Sequence, residues 1–163
     1  MTSSRSTKSD TVTGALMLST YGLVVATGGM ASLASHSPVW LAVTVMACAA
    51  HGIFAGSEKP DVIPDGIADG LCALAFLLGL SEYWLLGLSL TICMAHFLTA
   101  VAMLVLFRRK QESHYRLMRL TVIIVTAIAA TTAETWIFLL AFLGAAGVLI
   151  WNHVARDVGA SME

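Results

Sequence analysis

The feature that most constrains this chain is a series of long apolar stretches separated by short polar breaks. A helix needs about 20 apolar residues to cross the hydrocarbon core of a membrane. Stretches near that length follow one another from residue 12 onward, and the predicted spans are 12–34, 39–55, 64–80, 84–107, 117–132 and 135–151. The sequence therefore predicts an all-α integral membrane protein, a six-transmembrane-helix bundle of three antiparallel hairpins.

The composition excludes several classes of protein. The chain has 163 residues, of which 58% are hydrophobic and 12% are charged. Soluble domains carry roughly a quarter charged residues, and a small soluble fold cannot hide this much apolar surface. A net charge of -1 also lacks the basic excess that a nucleic-acid binder needs. A soluble enzyme, a disordered chain and a nucleic-acid-binding protein are thus excluded.

The basic residues predict the orientation, because Lys and Arg concentrate in the cytoplasmic loops of membrane proteins. With six spans and a cytoplasmic leader (residues 1–11), all nine basic residues fall on the cytoplasmic side; they are Arg5, Lys8, Lys59, Arg108, Arg109, Lys110, Arg116, Arg119 and Arg156. The single bundle at 12–155 then ends in a short cytoplasmic tail, 156–163. Fusing the fifth and sixth stretches gives the alternative of five spans.

Ionisable residues inside spans are the first candidates for function, because burying them in hydrocarbon is costly. His96 lies well inside the fourth predicted span and is a candidate for a proton path, a metal or a cofactor, the alternative being a hydrogen-bonded structural histidine. His51 and His96 together suggest a haem or pigment. Their predicted depths differ by ~10 Å at 1.5 Å per residue, which argues against a shared iron. No cofactor is therefore predicted.

Two further sets of polar residues could hold an ion. Cys48 and His51, with Cys93 and His96, offer zinc-type ligands, but the same difference in depth weakens a joint site. Asp61, Asp65 and Asp69 recur every four residues and would share one face of a helix that begins near Pro60. Asp69, with His51 at a similar depth, is a weak metal candidate, and with His96 it is an ion-path candidate. Glu82 and Glu134 are interpreted as ordinary acids of outer loops.

Residues 94–154 show a pattern of an apolar helix, a basic cluster, a short polar turn and a second apolar hairpin. The cluster is Arg108-Arg109-Lys110, the turn contains Ser113-His114-Tyr115-Arg116, and the hairpin has its polar tip at Thr131 to Glu134. This stretch resembles the membrane-embedded N-terminal region of bacterial transglutaminase-like membrane proteins. Members of that family carry a Cys-His-Asp catalytic domain outside the membrane. No position of that domain is found in this chain, so the resemblance implies a membrane portion without the catalytic residues.

The functional prediction follows from these points. No catalytic motif occurs, and no segment outside the spans exceeds about a dozen residues, so a non-enzymatic protein with no catalytic residues is expected. We predict a scaffold or anchor subunit in the bacterial inner membrane, in contact with lipid and with other membrane protein subunits. The small-residue faces of its helices, such as the Gly66–Gly70 pair, favour close helix packing. The alternatives are a small proton or cation transporter or channel using His96 and Asp69, and an electron-transfer or pigment-binding subunit.

Overall fold

The computed structural model describes residues 3–55, 63–108, 112–133 and 135–160 and is helical throughout those ranges apart from the connections. Its six helices are α1 (Ser3–Ser35), α2 (Val39–Ala55), α3 (Asp65–Leu86), α4 (Leu90–Leu106), α5 (Glu112–Thr132) and α6 (Thr135–Ala160). Segments within α1, α3, α5 and α6 are long and apolar enough to cross a membrane. The predicted all-α fold with membrane-spanning helices is therefore confirmed at that level.

Helix α1 is the centre of the bundle, because it contacts α2, α4, α5 and α6. Its buried side chains include Leu23, Val24 and Met30, each no more than 1% exposed. The facing helix α5 buries Met118, Val122, Val125 and Ala129. Their spacing of four, three and four residues places them on one stripe of the helix, which packs into the core. An amphipathic helix thus lies against a helix that is buried on several sides.

The contact between α1 and α2 depends on one glycine. A Cβ atom added at Gly28 would overlap Thr44 Oγ1 and would lie 2.8 Å from the carbonyl oxygen of Trp40. At Gly29, the next position, the nearest atom would be Leu41 Cδ1 at 4.0 Å. A missing side chain lets two helix backbones approach closely. Gly28 therefore sets the distance between α1 and the beginning of α2.

A buried polar contact joins α1 to α6. Asn152 Nδ2 donates a hydrogen bond of 2.9 Å to Ser19 Oγ, and both residues are fully buried. Ser19 Oγ in turn donates to the carbonyl oxygen of Leu16. Gly22 lies on the same helix contact, where an added Cβ would come within 2.9 Å of Val148 Cγ1. The hydrogen bond and the small residue together fix α6 against the central helix.

Helix α3 is peripheral. Within the described ranges it contacts α4 and no other helix. Most of its large apolar side chains, including Leu74, Leu77 and Leu78, are at least half exposed. In a membrane protein such a surface faces lipid or another protein, because exposing an apolar patch of this size to water is unfavourable. The position of α3 is therefore determined by its contacts with α4.

The boundary between α3 and α4 differs from the one predicted from sequence. The polar triplet at 81–83 was expected to end the third span, but α3 continues to Leu86. Ser81 Oγ donates to the carbonyl oxygen of Leu78, so its hydroxyl is satisfied inside the helix. The helix ends at Gly87, whose φ of 66° is the left-handed conformation typical of glycine at helix C-termini. Helix α4 then begins after Ser89, whose side chain accepts a hydrogen bond from the Ile92 backbone.

Candidate functional site

His96 lies on the buried face of α4, seven residues into the helix. It is 6% exposed, and its buried neighbours on the same helix include Cys93, Ala95 and Thr99. His96 shares this buried face with residues three positions before and after it, as the helical repeat requires. The predicted candidate is thus a buried histidine.

The partner of His96 is Glu82 on α3. His96 Nδ1 lies 2.6 Å from Glu82 Oε2, which is a short hydrogen bond; such bonds shorten when one of the two groups is ionised. The Glu82 side chain is 26% exposed and the His96 side chain is 7% exposed. Glu82 was interpreted from sequence as an ordinary loop acid; the extension of α3 to Leu86 instead places it in the helix, facing α4.

Trp40, at the beginning of α2, covers the imidazole ring of His96. The two ring centroids are 4.7 Å apart, with 30° between the ring planes, so the rings are stacked. The second ring nitrogen, Nε2, is buried and has no hydrogen-bond partner among the described residues. Three helices therefore contribute to this site: α3 the carboxylate, α4 the imidazole and α2 the indole. We call these three residues the Glu82–His96–Trp40 cluster.

His51 occupies a different part of the bundle. It is 5% exposed, and a hydrogen bond of 2.8 Å joins its Nδ1 to Tyr21 Oη on α1. Its ring also packs edge-on against Phe107, just after α4, with the centroids 5.3 Å apart. Cys48, on the same helix, donates a weak hydrogen bond from its thiol to the Tyr21 carbonyl oxygen at 3.9 Å. His51 is thus held in the packing between α1, α2 and the end of α4.

The two histidines are not brought together. His96 stacks on Trp40, which precedes His51 on α2 by eleven residues, or ~16 Å along a helix axis. Where the structure describes the chain, no group of three His, Cys, Asp or Glu side chains is arranged to hold a metal ion. A joint site of Cys48, His51, Cys93 and His96 is therefore not assembled in this arrangement.

Asp69 lies near the opposite end of α3 from Glu82. Its Oδ1 accepts a hydrogen bond of 3.1 Å from Arg108 Nη1, and its side chain is 70% exposed. Thirteen residues separate Asp69 from Glu82, which is ~20 Å along the helix. Asp69 therefore pairs with an arginine rather than with His51 or His96. The stack of three carboxylates required a helix that begins near Pro60, and this expectation is wrong, because α3 begins at Asp65 after Pro64, whose ψ of 146° is not helical. Asp61 itself and the side chain of Asp65 lie outside the described residues.

An open groove of about 520 Å³ lies where α1, α2 and α6 meet, beside the connection between α1 and α2. Its walls are mainly apolar and include Leu33, Leu41 and Leu140, with His36 at the rim. It contains no carboxylate and does not include His96. The Glu82–His96–Trp40 cluster, which joins a buried histidine to a partly exposed carboxylate, is the stronger candidate for a functional site.

The sequence signals explain why only one of the three residues of the cluster was predicted. His96 stands out because an ionisable residue interrupts a long apolar stretch. Glu82 was missed because its polar neighbours suggested a loop, although Gly87 five residues later is the better indication of the helix end. Trp40 gives no comparable signal, because it lies near the start of a predicted span, where indoles are common for their preference for the membrane surface.

Comparison of this chain with protein families, with curated proteins and with solved structures gave no match. The resemblance of residues 94–154 to the membrane region of transglutaminase-like proteins therefore stays a prediction.

Proposed function

We propose that this protein is a non-enzymatic scaffold or anchor subunit of a larger complex in the bacterial inner membrane. The proposal rests on the glycine face of α3, which carries Gly66 and Gly70 and touches no other described part of the chain. A Cβ atom added at Gly66 or Gly70 would meet nothing within 4 Å, and the same holds for Gly144 and Gly147 of α6. By contrast, Gly22 and Gly28 of α1 are in close contact with neighbouring helices.

The open glycines favour a protein partner for a physical reason. Apolar side chains gain little by exchanging lipid for protein, so helices associate in membranes mainly through close packing and interhelical hydrogen bonds. Gly70 is four positions after Gly66, so both lie on one face of α3, where a second helix could approach closely. Because α3 contacts only α4 within the described ranges, this face is accessible. We infer that its occupant is a transmembrane helix of another subunit.

The proposal includes six spans with both termini in the cytoplasm. The 17-residue helices α2 and α4 would be ~25 Å long, near the lower limit for crossing a membrane. The described arginines support one basic end: Arg108 follows α4, and Arg156 lies 5.3 Å from the centre of the Tyr115 ring at the beginning of α5. The connections 36–38 and 87–89 contain no lysine or arginine. This asymmetry is the one that the positive-inside rule requires.

Thiol labelling in intact cells tests the six-span topology. In a chain whose three cysteines are replaced by alanine, His36→Cys and Leu88→Cys are expected to react with a membrane-impermeant maleimide added outside. Arg116→Cys and Asp157→Cys are expected to react only in inverted vesicles. The original chain keeps its three cysteines, which lie in the predicted spans, and it should not react with the maleimide. Labelling of Leu88→Cys and Arg116→Cys from the same side would mean that α4 does not cross the membrane.

The scaffold role is tested by purification from the native membrane in a mild detergent. A second membrane protein is expected in fixed stoichiometry with the tagged parent chain, and Gly66→Leu/Gly70→Leu should lose it because leucine side chains block the approach of a helix. Leu85→Ala and Leu86→Ala are the matched controls, since they change exposed residues of the same helix that lie off the glycine face and at its other end. A monodisperse parent chain with no partner, or only with a second copy of itself, would contradict the proposal.

A further inference from the structure

Glu82 and His96 bring two ionisable side chains into contact in mainly apolar surroundings. Both side chains are largely removed from solvent at the contact of α3 with α4. Trp40 covers one face of the imidazole, and the two atoms that face each other, His96 Nδ1 and Glu82 Oε2, are only 2.6 Å apart. At that distance a hydrogen must lie between them, because two lone pairs would repel each other.

The protonation states of the pair follow from this contact. An ionised Glu82 and a neutral His96 share the Nδ1 hydrogen, carry a net charge of −1 and leave Nε2 without a hydrogen. Adding one proton gives either an imidazolium beside a carboxylate or a neutral imidazole beside a carboxylic acid. Both of these states are neutral overall, both keep the Nδ1···Oε2 contact, and both carry a hydrogen on Nε2.

The surroundings of the pair favour the neutral states. Four helices contact α4 in the described structure, namely α1, α2, α3 and α5. The parts of α1, α2 and α5 at 22–35, 39–47 and 120–132 contain no titratable side chain. Helix α3 contributes Tyr83 next to Glu82, α4 contributes Cys93, and His36 lies in the connection before α2. No arginine or lysine is therefore present among these neighbours to balance a net negative charge, which is costly in apolar surroundings.

We propose that Glu82 and His96 form a site that binds one proton, which enters from the end of the bundle formed by the connection at 87–89. Glu82 is the entry group because it retains 26% exposure and lies one turn before the end of α3. His96, at 7%, is the inner group and receives the proton through Nδ1. Proton binding does not require transport across the membrane, and it is independent of the scaffold role.

The ring nitrogens of His96 report directly on this site. In protein labelled with ¹⁵N-histidine and held in detergent micelles, we expect His96 Nε2 to carry a hydrogen at neutral pH. Raising the pH should remove this hydrogen from the parent chain. In Glu82→Leu, His96 should carry a single ring hydrogen at neutral pH and at every higher pH. The infrared spectrum of the same sample separates the two neutral states, because only the carboxylic acid form has a C=O band that Glu82→Leu abolishes.

The chain provides a control in an exposed pair that also joins a histidine to a carboxylate. His153 Nδ1 lies 3.5 Å from Asp157 Oδ1, with side chains 65% and 70% exposed, so water can screen any charge on it. Asp157→Leu should therefore change the His153 signals little. His96→Gln assigns the signals of the buried ring, and if that variant does not fold, Trp40→Phe assigns them through the lost ring-current shift. A parent His96 whose Nε2 carries no hydrogen at neutral pH would overturn the proposal.

Discussion

Gly28→Ala is expected to lower the free energy of unfolding by about 1–3 kcal/mol, the range observed when atoms are forced into a packed interior. The added methyl group would overlap Thr44 Oγ1, and rotating Thr44 cannot relieve the contact because the Trp40 carbonyl oxygen is only 2.8 Å away. The backbones of α1 and α2 must therefore move apart. Trp40 moves with α2, so the stacking on His96 should weaken in the same variant.

Gly29→Ala is the matched control. It makes the same change one residue further along α1, where the nearest atom would be 4.0 Å away. Because alanine favours helix over glycine by about 1 kcal/mol, this variant should be unchanged or slightly more stable. Unfolding in a series of detergent mixtures, followed by circular dichroism, measures both. Equal stability of Gly28→Ala and Gly29→Ala would show that α1 and α2 do not approach as closely as described.

The general architecture could be predicted because it depends on the composition of each segment alone. Apolar stretches of membrane length separated by polar breaks predict helices, and a helix is observed in each of these stretches where the structure describes the chain. Four of these helices contain segments long and apolar enough to cross a membrane. The ends were less predictable, because polar residues such as Ser81 can satisfy their hydrogen bonds within a helix. The positive φ of Gly87, rather than the polarity of the preceding triplet, ends α3.

The candidate site could be predicted only in part because it depends on contacts between helices. His96 is conspicuous in its own segment, but nothing within that segment indicates Glu82, fourteen residues earlier, or Trp40 on α2. Asp69 shows the converse case. Its spacing placed it on one helix face with Asp61 and Asp65 as a candidate for holding an ion, but Arg108 after α4 lies within reach and pairs with it near the surface. Spacing defines a face of a helix, whereas the neighbouring helix determines what that face contacts.

His96→Phe is expected to destabilise the protein by about 2 kcal/mol. Breaking a fully buried ion pair typically costs ~3–5 kcal/mol, and the partial exposure of Glu82 reduces that value. Phenylalanine preserves a ring beside Trp40, so most of the loss arises from leaving the Glu82 carboxylate without a partner. In Glu82→Leu/His96→Phe both polar groups are replaced, and much of the lost stability should return. The same unfolding measurement gives the coupling energy of the pair.

The exposed pair of His153 and Asp157 is the control for this double-mutant cycle. The corresponding cycle there should give a coupling below about 0.5 kcal/mol, since exposed pairs on a helix are screened by water. If the Glu82–His96 coupling were equally small, the two side chains would act independently, and the 2.6 Å contact would not stabilise α3 on α4. A coupling of about 2 kcal/mol means that α3 depends on this pair, because within the described ranges α3 contacts no helix other than α4. Protonation of the pair would then change the stability of the α3–α4 contact itself.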